Sequence, residues 1–158
     1  MKHSNPSNSL LEIHGARIAI LQSSWYREYS DSMVKKCADV LTSAGSLQPD
    51  IHILPGSLEL PLAAQRIARK KDNAYDAIIC FGVVMKGGTH HYEMVLYSCI
   101  HGLTQVMLNE DIPIIMEILP VTTEQQIIER TSDDNYNKGI EAAHAAIETI
   151  AWRRNNPV

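Results

Sequence analysis

The apolar run Ala77-Ile78-Ile79-Cys80-Phe81-Gly82-Val83-Val84-Met85 stops at Lys86-Gly87-Gly88-Thr89-His90-His91. An ammonium, two bare backbone positions, a hydroxyl and two imidazoles in succession are the materials of an anion site with a proton-transfer group beside it. The run suits a strand buried on both faces, and the residues from Tyr92 onward read as a helix, so the loop lies between a strand end and a helix start. Unpaired amide N–H groups and the positive end of the helix dipole point into such a loop, and adjacent glycines let a ligand approach the backbone. Phosphate is the natural guest. The alternative is a plain glycine turn with Lys86 as a solvated charge, because the loop matches neither the nucleotide P-loop nor the G-x-G-x-x-G pattern.

The elements that must position this loop can be read from periodicity. Residues 17–22 read as a first strand, 28–43 as a helix ending near Gly45, 51–54 as a second strand, and the stretch after Pro55-Gly56-Ser57 as a helix to about residue 71. Residues 77–84, 92–108 and 114–119 continue strand, helix and strand, and helices over 123–130 and 137–152 follow. This alternation predicts a three-layer α/β/α fold around a mostly parallel four-stranded sheet, a flavodoxin-like layout. Ligands of such sheets gather outside the carboxyl ends of the strands. The loops leaving those ends are Ser23-Ser24-Trp25-Tyr26, Pro55-Gly56-Ser57-Leu58-Glu59, the Lys86 to His91 loop, and Pro120-Val121-Thr122-Thr123. An aromatic pair, a carboxylate, an anion loop and a histidine therefore converge on one edge. A nucleotide or FMN module with this layout would carry its phosphate loop directly after the first strand, and Ser23-Ser24-Trp25-Tyr26 contains no glycine.

Composition narrows the classes. With 158 residues, 45% of them hydrophobic, the chain can bury one good core and is expected to be a single domain over residues 13–158 behind a flexible polar tail at 1–12. A net charge of −4 without a long basic run argues against a nucleic-acid binder, and charged residues or histidine interrupt every apolar stretch before it reaches membrane-spanning length. The beginning of the chain lacks the apolar segment of a secretory signal. Cys37, Cys80 and Cys99 have no C-x-x-C spacing and sit in apolar stretches, so they read as buried thiols of a cytoplasmic protein. The seven histidines form no metal-ligand pattern, so no metal is expected.

Four stretches carry a family resemblance. Pro55-Gly56-Ser57-Leu58-Glu59-Leu60-Pro61 resembles P-G-[AS]-[aromatic]-E-[IL]-P, and the Gly82 to His91 stretch followed by Tyr92-Glu93 resembles G-x-[VL]-[IV]-[KR]-G-x-T-x-H. Glu124-Gln125-Gln126-Ile127-Ile128-Glu129-Arg130-Thr131 and Asn137-Lys138-Gly139-Ile140-Glu141-Ala142-Ala143 match the later E-Q-A-I-E-R-[AT] and N-K-G-x-E-A-A patterns. In order and in register, from about residue 17 to 150, the chain resembles the lumazine synthase family of riboflavin biosynthesis. The resemblance implies a condensation of 5-amino-6-(D-ribitylamino)uracil with 3,4-dihydroxy-2-butanone 4-phosphate to 6,7-dimethyl-8-ribityllumazine, releasing phosphate and water without any cofactor. Imine formation, phosphate elimination and ring closure are all proton-transfer steps.

Roles follow by position. His91 matches the family's proton-transfer histidine, with His90 as the competing ring; Lys86, Gly88 and Thr89 match the loop that holds the phosphorylated substrate. Arg130 matches a phosphate-binding arginine, where a planar fork suits phosphate oxygens, against the alternative of an i,i+4 helix partner of Gln126 or a surface charge. Lys138 matches a further lysine near the site. Trp25 matches the aromatic that stacks on the pyrimidine, against the alternative of a core tryptophan. Val83, Val84 and Met85 border the heterocycle, and Ser57, Leu58 and Glu59 border the ribityl chain; Glu59 would also suit a helix start without any ligand. Leu58 and Met116 stand where aromatics are usual, which removes stacking worth about 1 kcal/mol. Tyr26 replaces a frequent asparagine and Ser24 a frequent arginine. In the family, the late residues serve a neighbouring chain's site within a ring of five. Trp25 and Ala142-Ala143-His144-Ala145-Ala146 resemble the branch that forms decamers. The reading from another class is a lumazine- or flavin-binding or shell-forming relative with little turnover.

Overall fold

The computed structural model describes residues 11–158. The expected flexible tail at 1–12 lies, apart from Leu11 and Glu12, outside the described residues. Strands β1 (Ile18–Ser23), β2 (Asp50–Leu54), β3 (Ala77–Met85) and β4 (Ile114–Val121) form one sheet in the order β2-β1-β3-β4. Every neighbouring pair is parallel, so the sheet is wholly parallel where a mostly parallel one was expected. The two central strands, β1 and β3, are buried nearly end to end, as apolar runs covered on both faces must be.

Five helices supply that cover: α1 (Arg27–Ser43), α2 (Leu60–Ala68), α3 (His91–Asn109), α4 (Glu124–Thr131) and α5 (Lys138–Asn155). Side-chain alternation splits the core. Ile18, Ile20, Ile79 and Phe81 face Met33 and Leu41 of α1 and Ile147 of α5; Ala19, Leu21, Ile78 and Cys80 face Leu60 of α2 and Leu103 of α3. The result is three layers, with α1, α4 and α5 on one face and α2 and α3 on the other.

Several boundaries differ from the periodic reading for local reasons. Ser57–Glu59 forms a 3₁₀ turn before α2, with Pro61 in the helix's first turn, where its missing N–H costs nothing. Helix α2 stops at Ala68, short of residue 71, because its last core contacts are Ile67 and Ala68 and the following Arg69, Lys70 and Lys71 are exposed. Helix α5 runs to Asn155, past residue 152, held by the Arg153–Asp111 ion pair at 3.1 Å and by Arg154 Nη2 donating to the His14 carbonyl at 3.1 Å.

The ends of α4 and α5 are fastened by side chains. Thr123 accepts the Gln126 N–H at 3.3 Å, while Gln126 reaches back to the Thr122 N–H at 2.8 Å, a reciprocal cap. Asn137, 1% exposed, accepts the Gly139 N–H at 2.8 Å and donates to the Thr131 and Ser132 carbonyls. Gly139 lies where α5 crosses α1 so closely that a Cβ there would stand 2.0 Å from the Met33 carbonyl oxygen.

Candidate active site

A cavity of about 410 Å³ opens at the carboxyl edge of the sheet. Its walls come from the segments that leave three strand ends and from the start of α3. The β1–α1 loop contributes Trp25 and Tyr26; the segment after β2 contributes Ser57, Leu58 and Glu59; the end of β3 contributes Val83, Val84 and Met85; and α3 contributes His91. These are the residues expected from three of the four strand-end loops, and the parallel sheet brings them to one edge. Lys86, Gly88, Thr89, Met116, Arg130 and Lys138 are absent from the wall of this chain's cavity.

Glycines set the fit. A Cβ on Gly56 would stand 3.5 Å from the indole Nε1 of Trp25 and 3.1 Å from Glu59 Oε2, so the indole lies against bare backbone. A Cβ on Gly82 would stand 2.8 Å from Ser57 Oγ, so the glycine within β3 makes room for that hydroxyl. The first loop is tied to β2 through Ser24, whose N–H and hydroxyl both donate to the Leu54 carbonyl, at 2.9 and 2.8 Å. Trp25 itself is 66% exposed, which answers the alternative of a core tryptophan.

His91 is the first residue of α3, one earlier than the periodic reading, and it lines the cavity; His90 does not. The His91 N–H donates to Thr89 Oγ1 at 3.4 Å. Lys86 is turned to the first turn of α3: its ammonium is 3.5 Å from Glu93 Oε1 and 5.9 Å from the centroid of the Tyr92 ring. Glu93 is held below the usual carboxylate range by its own backbone N–H and then by Lys86. Cβ atoms on Gly87 or Gly88 would meet nothing within 4 Å, and neither residue has a positive φ, so nothing within the described chain requires glycine there.

The late residues lie on other surfaces. Met116 packs on the α2–α3 side of edge strand β4. Arg130 Nη1 donates to the Gln126 carbonyl at 2.9 Å, and Lys138 Nζ is 2.6 Å from Glu141 Oε2. Next to Met116, Glu117 is pushed up to about 7 by burial and by Glu141, with Lys138 opposing. Pro55, Gly56, Tyr92 and Val95 also line the cavity, beyond the residues expected to do so. Val95 follows His91 by one helical turn on the same face, a signal that starting the helix at Tyr92 hides. Among the described residues no group of three or more His, Cys, Asp and Glu is placed to hold a metal ion.

The sequence pattern of the 6,7-dimethyl-8-ribityllumazine synthase family matches residues 15–154. The chain belongs to that family. A relative named 6,7-dimethyl-8-ribityllumazine synthase, from Saccharopolyspora erythraea, is 34% identical over 146 residues, covering 91% of this chain and 86% of the relative. The lumazine synthase match spans every strand and all five helices but the last residue of α5. The cavity therefore lies wholly within the part of the chain that carries the family pattern.

Proposed function

We propose that this cavity is the active site of a lumazine synthase, a transferase that condenses 5-amino-6-(D-ribitylamino)uracil with 3,4-dihydroxy-2-butanone 4-phosphate to give 6,7-dimethyl-8-ribityllumazine, phosphate and water. The observation that carries the assignment of the site is the meeting of His91 with Trp25, Ser57 and Glu59 on one cavity wall in a chain of this family. Trp25 covers the flat pyrimidine, the backbone of Val83 to Met85 borders its polar edge, and Ser57, Leu58 and Glu59 surround the ribityl chain, whose hydroxyls one carboxylate can accept in number. An imidazole serves the proton transfers of imine formation, elimination and ring closure because it titrates near neutrality.

The phosphorylated substrate is held by Lys86, Gly88 and Thr89 at the rim. Glycines that the chain's own conformation does not require suit a ligand that approaches bare N–H groups. Met116, Arg130 and Lys138 serve the cavity of a neighbouring copy, which accounts for their absence from this one. The assembly is a ring of five, doubled to a decamer, in the cytoplasm. Among the described residues no helix is long and apolar enough to cross a membrane.

The test is a steady-state assay with both substrates, following lumazine absorbance and free phosphate together. Equal, catalysed release of the two products is expected. Tight lumazine or riboflavin binding without turnover would overturn the enzyme reading in favour of a binding relative.

A further inference from the structure

Tyr26 breaks local rules on the cavity wall. Its backbone, φ 55° and ψ 38°, is left-handed. Among the described residues the other non-glycine positions with positive φ are Asn73 and Asp111, residue types that tolerate this region through local hydrogen bonding. A bulky aromatic does not. Tyr26 is also the N-cap of α1, with its carbonyl accepting the Tyr29 and Ser30 N–H groups, yet its side chain makes no capping bond where Ser, Asp or Asn would. Two unfavourable choices thus fall on one residue, and that residue lines the cavity.

The side chain explains neither choice by its contacts within the chain. The ring is half-buried and packs partly on the core, a role that any apolar residue could fill. The phenol hydroxyl has no hydrogen-bond partner among the described residues. The hydroxyl of a half-buried tyrosine, unpaired beside a cavity, is a group available to a ligand. The expected aromatics are meanwhile missing: Leu58 offers only an aliphatic wall, and Met116 lies elsewhere in this chain. Backbone strain at a ligand-facing residue persists where binding uses it.

We propose that Tyr26 is a specificity-determining residue for the ribitylated pyrimidine, presenting its ring and free hydroxyl to that substrate and replacing part of the aromatic surface that Leu58 and Met116 do not provide. The inference rests on the lumazine synthase reading of the cavity. It assigns Tyr26 to the pyrimidine half of the site and not to the phosphate half.

The experiment compares Tyr26→Phe and Tyr26→Asn with the wild-type assembly in KM for each substrate, in affinity for 6,7-dimethyl-8-ribityllumazine and in melting temperature. Loss of one neutral hydrogen bond in Tyr26→Phe should raise KM for the pyrimidine roughly three- to tenfold, leaving KM for the phosphorylated substrate and the melting temperature unchanged. Tyr26→Asn, which suits both the left-handed backbone and the cap, should melt no lower than wild type and yet bind lumazine more weakly. An unchanged pyrimidine KM in Tyr26→Phe would overturn the proposal. So would a Tyr26→Asn variant that melts lower with both KM values raised together, since that is the signature of a packing role. Absence of wild-type turnover would instead strike the lumazine synthase reading, and lumazine affinity would still score Tyr26 separately.

Discussion

His91 and Glu117 are titratable groups whose surroundings predict different behaviour. His91 stands on the cavity wall at the first position of α3, open to a ligand and removed from both core clusters. His91→Ala should lower kcat about a hundredfold, in the range of one lost general acid–base group, with unchanged assembly mass and melting temperature. An equal loss in His90→Ala with His91→Ala near wild type would move the role to the other ring. Glu117 has a folded-state value of about 7 against an ordinary 4.5. Because the native state holds the proton more tightly, this group's stabilisation is full below about pH 4.5 and is lost as pH rises through about 7. Glu117→Gln should remove that dependence, so its melting temperature should gain on wild type between pH 5 and 8. Parallel melting curves across that window would show that burial of Glu117 has no such cost.

At the scale of elements, most of the fold was legible because a sheet covered on both faces demands apolar strands, and the runs at 77–84 and 114–119 have few other uses. The convergence of Trp25, Ser57, Glu59 and His91 was legible for the same reason, since parallel strands put all their carboxyl ends on one edge. Phase was harder. Beginning α3 one residue late leaves His91 outside the helix, which hides Val95, one turn on, as its neighbour on the same face. Nothing in the periodicity of Glu124-Gln125-Gln126-Ile127-Ile128-Glu129-Arg130 says whether the arginine turns to its own cavity, and the guanidinium is found on the Gln126 carbonyl instead. Gly139, which the sequence shows only as part of the Asn137 to Ala143 pattern, is the contact that lets α5 cross α1. Gly139→Ala should destabilise the chain by about 1–3 kcal/mol, because backbone sits where the methyl must go. A melting temperature equal to wild type would show that the crossing relaxes freely.

The molecule as a whole leaves a large apolar surface uncovered. Met94, Tyr97 and Leu108 on the outer face of α3 are 69%, 75% and 72% exposed, and Leu62 of α2 adds 64%. These exposed apolar side chains are the kind of surface that the proposed assembly would cover. If the neighbour's Arg130 completes the site, Arg130→Ala should weaken binding of the phosphorylated substrate while sparing the pyrimidine. Refolded mixtures of the impaired His91→Ala and Arg130→Ala chains should recover activity, with about a quarter of the sites in a randomly mixed ring intact. No recovery from mixed assemblies of the right mass would show that each chain builds its own site. A last consequence follows from the cysteines. Burial pushes the Cys99 thiol up to about 11 and those of Cys37 and Cys80 higher still. All three are therefore poor nucleophiles at neutral pH, shielded from reagents in the folded chain. The native protein thus comes supplied as a blank background for chemical labelling. A single cysteine placed at exposed Ser24, beside the Trp25 indole, would be the thiol a maleimide dye reaches, and its emission would report ligand arrival without any native cysteine having to be removed.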